Sequence, residues 1–81
     1  MDTKAKLKQF ITRELVGRPD FALTDDDDLL LSGLVDSLGV VRLLAFIEKD
    51  LGTPVPPGDV TIENFGTVGS IAGFLEQLRP A

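Results

Sequence analysis

The sequence predicts an all-α fold: a small four-helix bundle of three main helices plus one short third helix, with a long first loop. Three observations predict it. Apolar residues recur at three- and four-residue spacing in three separate segments. No stretch alternates apolar and polar residues over the length of a strand. Helix-opening or helix-closing residues mark the ends of these segments. With 81 residues, 43% of them hydrophobic, the chain is sized for a single domain, 1–81, around one core.

The first helix is expected from Asp2 to Val16. Leu7, Phe10, Ile11 and Leu15 share a face, and Lys4, Lys8, Arg13 and Glu14 are available to water. Gly17 and Arg18-Pro19 stop it. The segment from Gly17 to Val35 is too long for a simple turn and needs anchors, for which Phe21, Leu23 and the Leu29-Leu30-Leu31 run are available. The second helix opens at Asp36 or Ser37 and runs to Leu51, with Gly52 as its stop. Val40, Leu43, Leu44, Ile47 and Leu51 form its core stripe. Leu38, Val41, Ala45 and Phe46 carry apolar character beyond that stripe, more than a core of this size absorbs, so part of the helix is expected to be a contact surface. Thr53-Pro54-Val55-Pro56-Pro57-Gly58 is expected to be non-helical. Thr61-Ile62-Glu63-Asn64-Phe65 reads as one helical turn with Phe65 inward. Thr67 caps a last helix, Val68 to Leu78, buried through Val68, Ile71, Phe74 or Ala72, Leu75 and Leu78.

Composition removes several functions. A net charge of −5 lacks the basic footprint of a nucleic-acid binder. Cysteine and histidine are both absent, which excludes disulfides, thiolate chemistry and the usual general base. The opening Met1-Asp2-Thr3-Lys4 is polar, no apolar run approaches membrane-spanning length, and a soluble cytoplasmic protein is expected. The run Asp25-Asp26-Asp27-Asp28 fails as an EF-hand loop: counted from Asp25, the sixth position is Leu30 and the twelfth is Asp36, where glycine and glutamate are needed. A solvated acidic loop is the expectation, with no metal ligands assigned.

Attention falls on Asp36-Ser37-Leu38, at the mouth of the most apolar helix. Ser37 does not sit in a nucleophile elbow, because Val35 replaces the first glycine and no strand precedes it. Without a base a serine is weakly nucleophilic, so no catalytic residue is assigned and the chain is not expected to be an enzyme. Taken alone, Ser37 reads as a helix cap. Asp36 can already supply that cap, however. A phosphate-linked group on Ser37 would meet free N–H groups and the positive end of the helix dipole.

These residues resemble the acyl carrier protein family, which includes aminoacyl and peptidyl carriers. The likeness lies in Asp36-Ser37-Leu38, in Ser32-Gly33-Leu34-Val35 before it and in Gly39-Val40-Val41-Arg42-Leu43-Leu44-Ala45-Phe46-Ile47-Glu48 after it. It extends to Val55-Pro56 and to the stretch from Thr61 to Val68, and so spans essentially the whole chain. The resemblance implies an acyl-carrier-protein-like bundle whose Ser37 receives a 4′-phosphopantetheine arm from coenzyme A. A phosphopantetheinyl transferase using magnesium installs the arm, and Asp36 assists attachment. The arm's thiol would carry acyl or aminoacyl groups as thioesters, which gives a cysteine-free chain its reactive sulfur.

Fatty-acid carriers usually bear a glutamate where this chain has Arg42, and often an acid at the place of Gly39. The outward positions Leu38, Arg42, Ala45 and Lys49 are apolar or basic and are assigned as the partner-binding face. Gly39 is expected to leave room there for a partner's loop. The pattern is similar to freestanding carriers served by a separate adenylating ligase. Expected partners are the transferase, a loading ligase or acyltransferase and downstream synthase or transferase enzymes, the carrier itself being a monomer. The pathway would be fatty-acid-like or natural-product biosynthesis. The alternative is a helical interaction module that binds a partner through the apolar second-helix face, with Ser37 only a cap.

Overall fold

The computed structural model describes residues 2–78, all of them helix, turn or irregular chain. Helix α1 covers Thr3–Phe10 and opens at Asp2, whose extended backbone lets its carboxylate accept the Ala5 N–H at 2.8 Å. The element continues without a break as a π-helical segment, Ile11–Val16. Here the buried Thr12 hydroxyl donates back to the carbonyls of Lys8 (2.9 Å) and Gln9 (3.3 Å). Such back-bonding competes with the backbone ladder, and the ladder shifts toward wider pairing, with Gly17 and Arg18 both donating to the Thr12 carbonyl. Gly17 closes the element at φ 78°, a left-handed conformation that penalises a β-carbon.

Helix α2 is Ser37–Asp50, α3 is Ile62–Phe65 and α4 is Val68–Leu78. The two later helices begin alike: the Thr61 hydroxyl accepts the Asn64 N–H (3.1 Å) and the Thr67 hydroxyl accepts the Ser70 N–H (3.0 Å). The core collects Leu7 and Ile11, Leu43 and Ile47 of α2, Phe65 of α3, and Val68, Ile71, Ala72 and Leu75 of α4. Val40, Leu44 and Leu51 are only half-buried at its margin. In α4, Ala72 rather than Phe74 takes the fully covered place. Phe74 lies tilted against Phe65, with ring centroids 5.9 Å apart.

The connection between residues 17 and 36 belongs to the core. Leu23, Leu29 and Val35 are buried in it, each worth roughly 1.5–3 kcal/mol of apolar burial. Its backbone is bonded across the bundle: the Leu29 N–H donates to the Gly66 carbonyl (2.7 Å) and the Gly69 N–H donates to the Asp25 carbonyl (3.0 Å). Of the leucine run, Leu29 is the anchor, while Leu31 stands exposed.

The acidic run is taken up within the fold. Asp25 pairs with Lys4 (3.2 Å) and with Lys8. The carboxylates of Asp27 and Asp28 accept the N–H groups of Thr24 (2.9 Å) and Leu31 (2.8 Å). Exposed ion pairs contribute about 1 kcal/mol or less, so the leucine and valine anchors hold this segment more firmly than its charges do.

One expectation is corrected. Residues 53–58 are not wholly non-helical, because Pro57–Asp59 forms a 3₁₀ turn. Pro57 stands at its first position, where the missing N–H leaves nothing unsatisfied and the fixed φ favours helical geometry.

Candidate functional site

The site is assembled by the turn that delivers the chain into α2. The Ser32 hydroxyl donates to the Asp28 carbonyl and accepts the Leu34 N–H (3.3 Å). The Val35 N–H then returns to the Leu29 carbonyl (2.9 Å), and Val35 is buried. With Val35 held, Asp36 takes an extended conformation (φ −88°, ψ −177°), and its carboxylate accepts the Gly39 N–H at 2.7 Å. Its carbonyl accepts the Val40 N–H at 2.9 Å. Asp36 is therefore the N-cap and Ser37 the first residue of the helix.

Ser37 is exposed. Among the described residues its hydroxyl has no hydrogen-bond partner, and neither do the N–H groups of Ser37 and Leu38. An unactivated hydroxyl on the first turn, beside two unclaimed donors at the positive end of α2, suits a phosphate-linked substituent. A shallow cleft lies beside it, lined by Leu15, Leu34, Asp36, Leu38 and Arg42 among others. Among the described residues, no three His, Cys, Asp or Glu side chains converge in a way that could hold a metal ion.

Gly39 is not exposed on the outer face of α2, and the expectation that it leaves room there is corrected. It is buried, and a β-carbon there would lie 3.2 Å from both the Asp36 Oδ1 and the Val35 Cγ1, and 3.7 Å from Leu15 Cδ2. The missing side chain lets α2 sit close to its own cap and to the end of the first helix. The small residue serves the fold rather than an incoming loop.

Leu38, Arg42, Ala45 and Lys49 share one exposed face, as their spacing required. Arg42 also has a partner within the chain: its Nη1 donates to the Glu14 carbonyl (3.0 Å), and its Nη2 stands 3.8 Å from the Glu14 carboxylate. A cation at the end of the first helical element is favourably placed against its unpaired carbonyls. Three further apolar residues stand in water: Val41 at 61% exposure, Ile62 of α3 at 57% and Leu31 of the first connection at 72%, compared with 70% for Leu38. Sequence spacing marked Val41 as surplus to the core. It did not mark Ile62, whose three-residue separation from Phe65 fits the same inward face.

A family model described as phosphopantetheine attachment site matches residues 6–75. The chain is 36% identical to the D-alanyl carrier protein of Enterococcus faecalis (strain ATCC 700802 / V583) over 69 residues, 85% of this chain and 88% of the relative. It is 39% identical to the acyl carrier protein AsbD of Bacillus anthracis over 46 residues, 57% of this chain and half of the relative. Among solved structures, it superimposes with a TM-score of 0.76 and 34% identity on a chain from a structure titled "Crystal structure of FAD-dependent dehydrogenase", covering 85% of this chain and 97% of the other.

Proposed function

Since the chain belongs to the family of phosphopantetheine attachment proteins, whose members carry 4′-phosphopantetheine covalently, we propose that it is a freestanding carrier protein modified on Ser37. The observation that carries this reading is the state of that side chain. Ser37 is exposed at the opening of α2, released from capping by Asp36, and has no bonded base to make it a nucleophile in its own right. Bound there, the arm supplies a thiol that holds cargo as a thioester. The protein keeps the arm's attachment point fixed and its reach open to solvent. Asp36 assists attachment by setting the first turn. Leu38, Arg42, Ala45 and Lys49 form the face that partner enzymes read.

In this reading residues 1–81 are a single, non-catalytic, monomeric carrier domain in the cytoplasm. No helix among the described residues is long and apolar enough to cross a membrane. A phosphopantetheinyl transferase installs the arm, an adenylating ligase loads it, and downstream synthases or transferases receive the cargo. The D-alanyl carrier relatives support an aminoacyl cargo. The dehydrogenase-titled structure supports an FAD-dependent dehydrogenase among the downstream enzymes, since the matched chain is itself of carrier size. Such an enzyme would move two hydrogens from the arm-borne group to FAD, and incubation of the loaded carrier with it would then show the loss of two hydrogens by intact mass.

The test of the main reading is co-expression with a broad-specificity phosphopantetheinyl transferase, followed by intact mass. The chain is expected to gain one phosphopantetheine, and Ser37→Ala to gain none. An unmodified wild-type chain, or an adduct that survives Ser37→Ala, overturns it in favour of an interaction module.

A further inference from the structure

Beside the assigned partner face lies a groove between the first helical element and α2, with a volume of about 650 Å³. Its floor is aromatic. Phe10 and Phe46 stack with centroids 4.3 Å apart and planes 15° from parallel, and both remain half-buried rather than covered. Its walls carry four cations. Lys6 and Arg13 rise from the first helix, and Arg42 and Lys49 line the continuation of the groove along α2. Two carboxylates also line it, Glu14 and Asp50, of which Glu14 is already matched by Arg42. Among the described residues Lys6, Arg13 and Lys49 make no ion pair, whereas Lys4 and Lys8 are both taken by Asp25. A chain of net −5 thus places three unpaired cations, together with Arg42, around one apolar strip. Arg42 also lines the cleft beside Leu38 and Asp36, so it stands between the groove and the opening of α2.

Resting on the carrier reading above, we infer that this groove is the docking surface for an acidic segment of the loading ligase. One aliphatic or aromatic side chain of that segment lies over the Phe10–Phe46 pair, and its carboxylates meet Lys6, Arg13 and Lys49. Charge complementarity selects the occupant. An acidic segment is attracted by the groove's local field and repelled by most of the remaining surface, which fixes where it lands and speeds its encounter. The contact uses α1 as well as α2, and so lets the ligase register the whole helix pair while leaving Ser37 and its arm free.

Two measurements test it, and the first does not depend on the arm. A ¹⁵N-labelled Ser37→Ala chain is titrated with a Glu-rich amphipathic peptide carrying a single Phe. The expected result is amide shifts centred on Lys6, Phe10, Arg13, Phe46 and Lys49, weakened by about tenfold or more in a Lys6→Glu/Arg13→Glu double variant and by added salt. Shifts elsewhere, no shifts, or equal shifts with a Lys-for-Glu peptide overturn the proposal, as does a dimer that fills its own groove. In the second, the phosphopantetheinylated protein is loaded by its adenylating ligase. The double variant is expected to raise the carrier's KM about tenfold at constant kcat, while transferase attachment proceeds as in the wild type. An unchanged KM overturns the assignment. A wild-type chain that accepts no arm would defeat the carrier reading itself, and the peptide titration would still decide the groove.

Discussion

Two serines five residues apart, one four residues after Asp28 and the other directly after Asp36, have opposite fates in this fold. Ser32 is consumed: its hydroxyl bonds the Asp28 carbonyl and the Leu34 N–H, helping to close the turn before α2. Ser37 is left over. Asp36 takes the capping bond to Gly39, and the Ser37 hydroxyl faces water with no described partner. The contrast separates structural hydroxyls from available ones. A side chain that holds the backbone is poorly placed to be modified, whereas one relieved by its neighbour can be modified without unfolding anything.

The sharpest way to break this contrast is to exchange serine for alanine at each position. Ser37→Ala is expected to abolish phosphopantetheine attachment and leave the urea midpoint nearly unchanged, because no bond of the fold is lost. Ser32→Ala is expected to retain attachment and lose stability instead. Intact mass and denaturant melts on the same samples read both outcomes. Equal attachment in the two variants would erase the distinction. Asp36→Ala is next in size: loss of the cap should cost about 1 kcal/mol, within the usual 0.5–2 range, and slow attachment as the first turn frays. Asp36→Asn should restore most of the stability, since asparagine also caps. If it also restores the attachment rate, capping geometry rather than charge is what Asp36 supplies.

A third prediction concerns the acidic connection that delivers the chain to the site. The ammonium groups of Lys8 and Lys4 hold the Asp25 carboxyl below its ordinary value of 3.8. The unfolded chain therefore takes up this proton first on acidification. The pair's stabilisation is complete above about pH 3.8 and lost as pH falls through the lowered native value. Asp25→Asn should flatten that part of the acid limb in a series of urea melts. A limb of unchanged slope would assign the acid sensitivity to other carboxylates.

What could be read from the sequence was local. The helices of the bundle, the Thr67 cap, the stop at Gly17 and the Asp36-Ser37-Leu38 opening all follow from spacing within a few residues, where side-chain chemistry acts directly on the backbone. The features that escaped have a different origin. The π-helical segment reflects a competition at Thr12 between side-chain and backbone donors, and composition does not weigh that competition. The Arg42–Glu14 contact and the Phe10–Phe46 stack join residues far apart in the chain, so they appear only once α1 and α2 are packed. Gly39 was misplaced because a residue without a side chain carries no hydropathy signal of burial.

Gly39 and Gly73 make the smallest and most discriminating comparison, since both are helical glycines and their surroundings differ. Gly73 lies on α4, is exposed, and would meet nothing within 4 Å on gaining a β-carbon. Gly73→Ala should therefore realise most of the helix-propensity gain, about 0.8–1 kcal/mol, visible as a higher urea midpoint. At Gly39 the same β-carbon would press at 3.2 Å on Val35 Cγ1 and on the Asp36 Oδ1. Val35 is 3% exposed and locked in the core, so the carboxylate is the group that must yield. It is also the group that caps Gly39's own N–H at 2.7 Å, so moving it weakens the cap by up to about 1 kcal/mol. The two terms oppose each other at similar size, and Gly39→Ala is expected to be neutral or mildly destabilising where Gly73→Ala stabilises. Its signature is a slower attachment of phosphopantetheine to Ser37 at nearly unchanged stability. Should Gly39→Ala stabilise as much as Gly73→Ala and be modified at the wild-type rate, the close packing around the cap would play no part in presenting the serine.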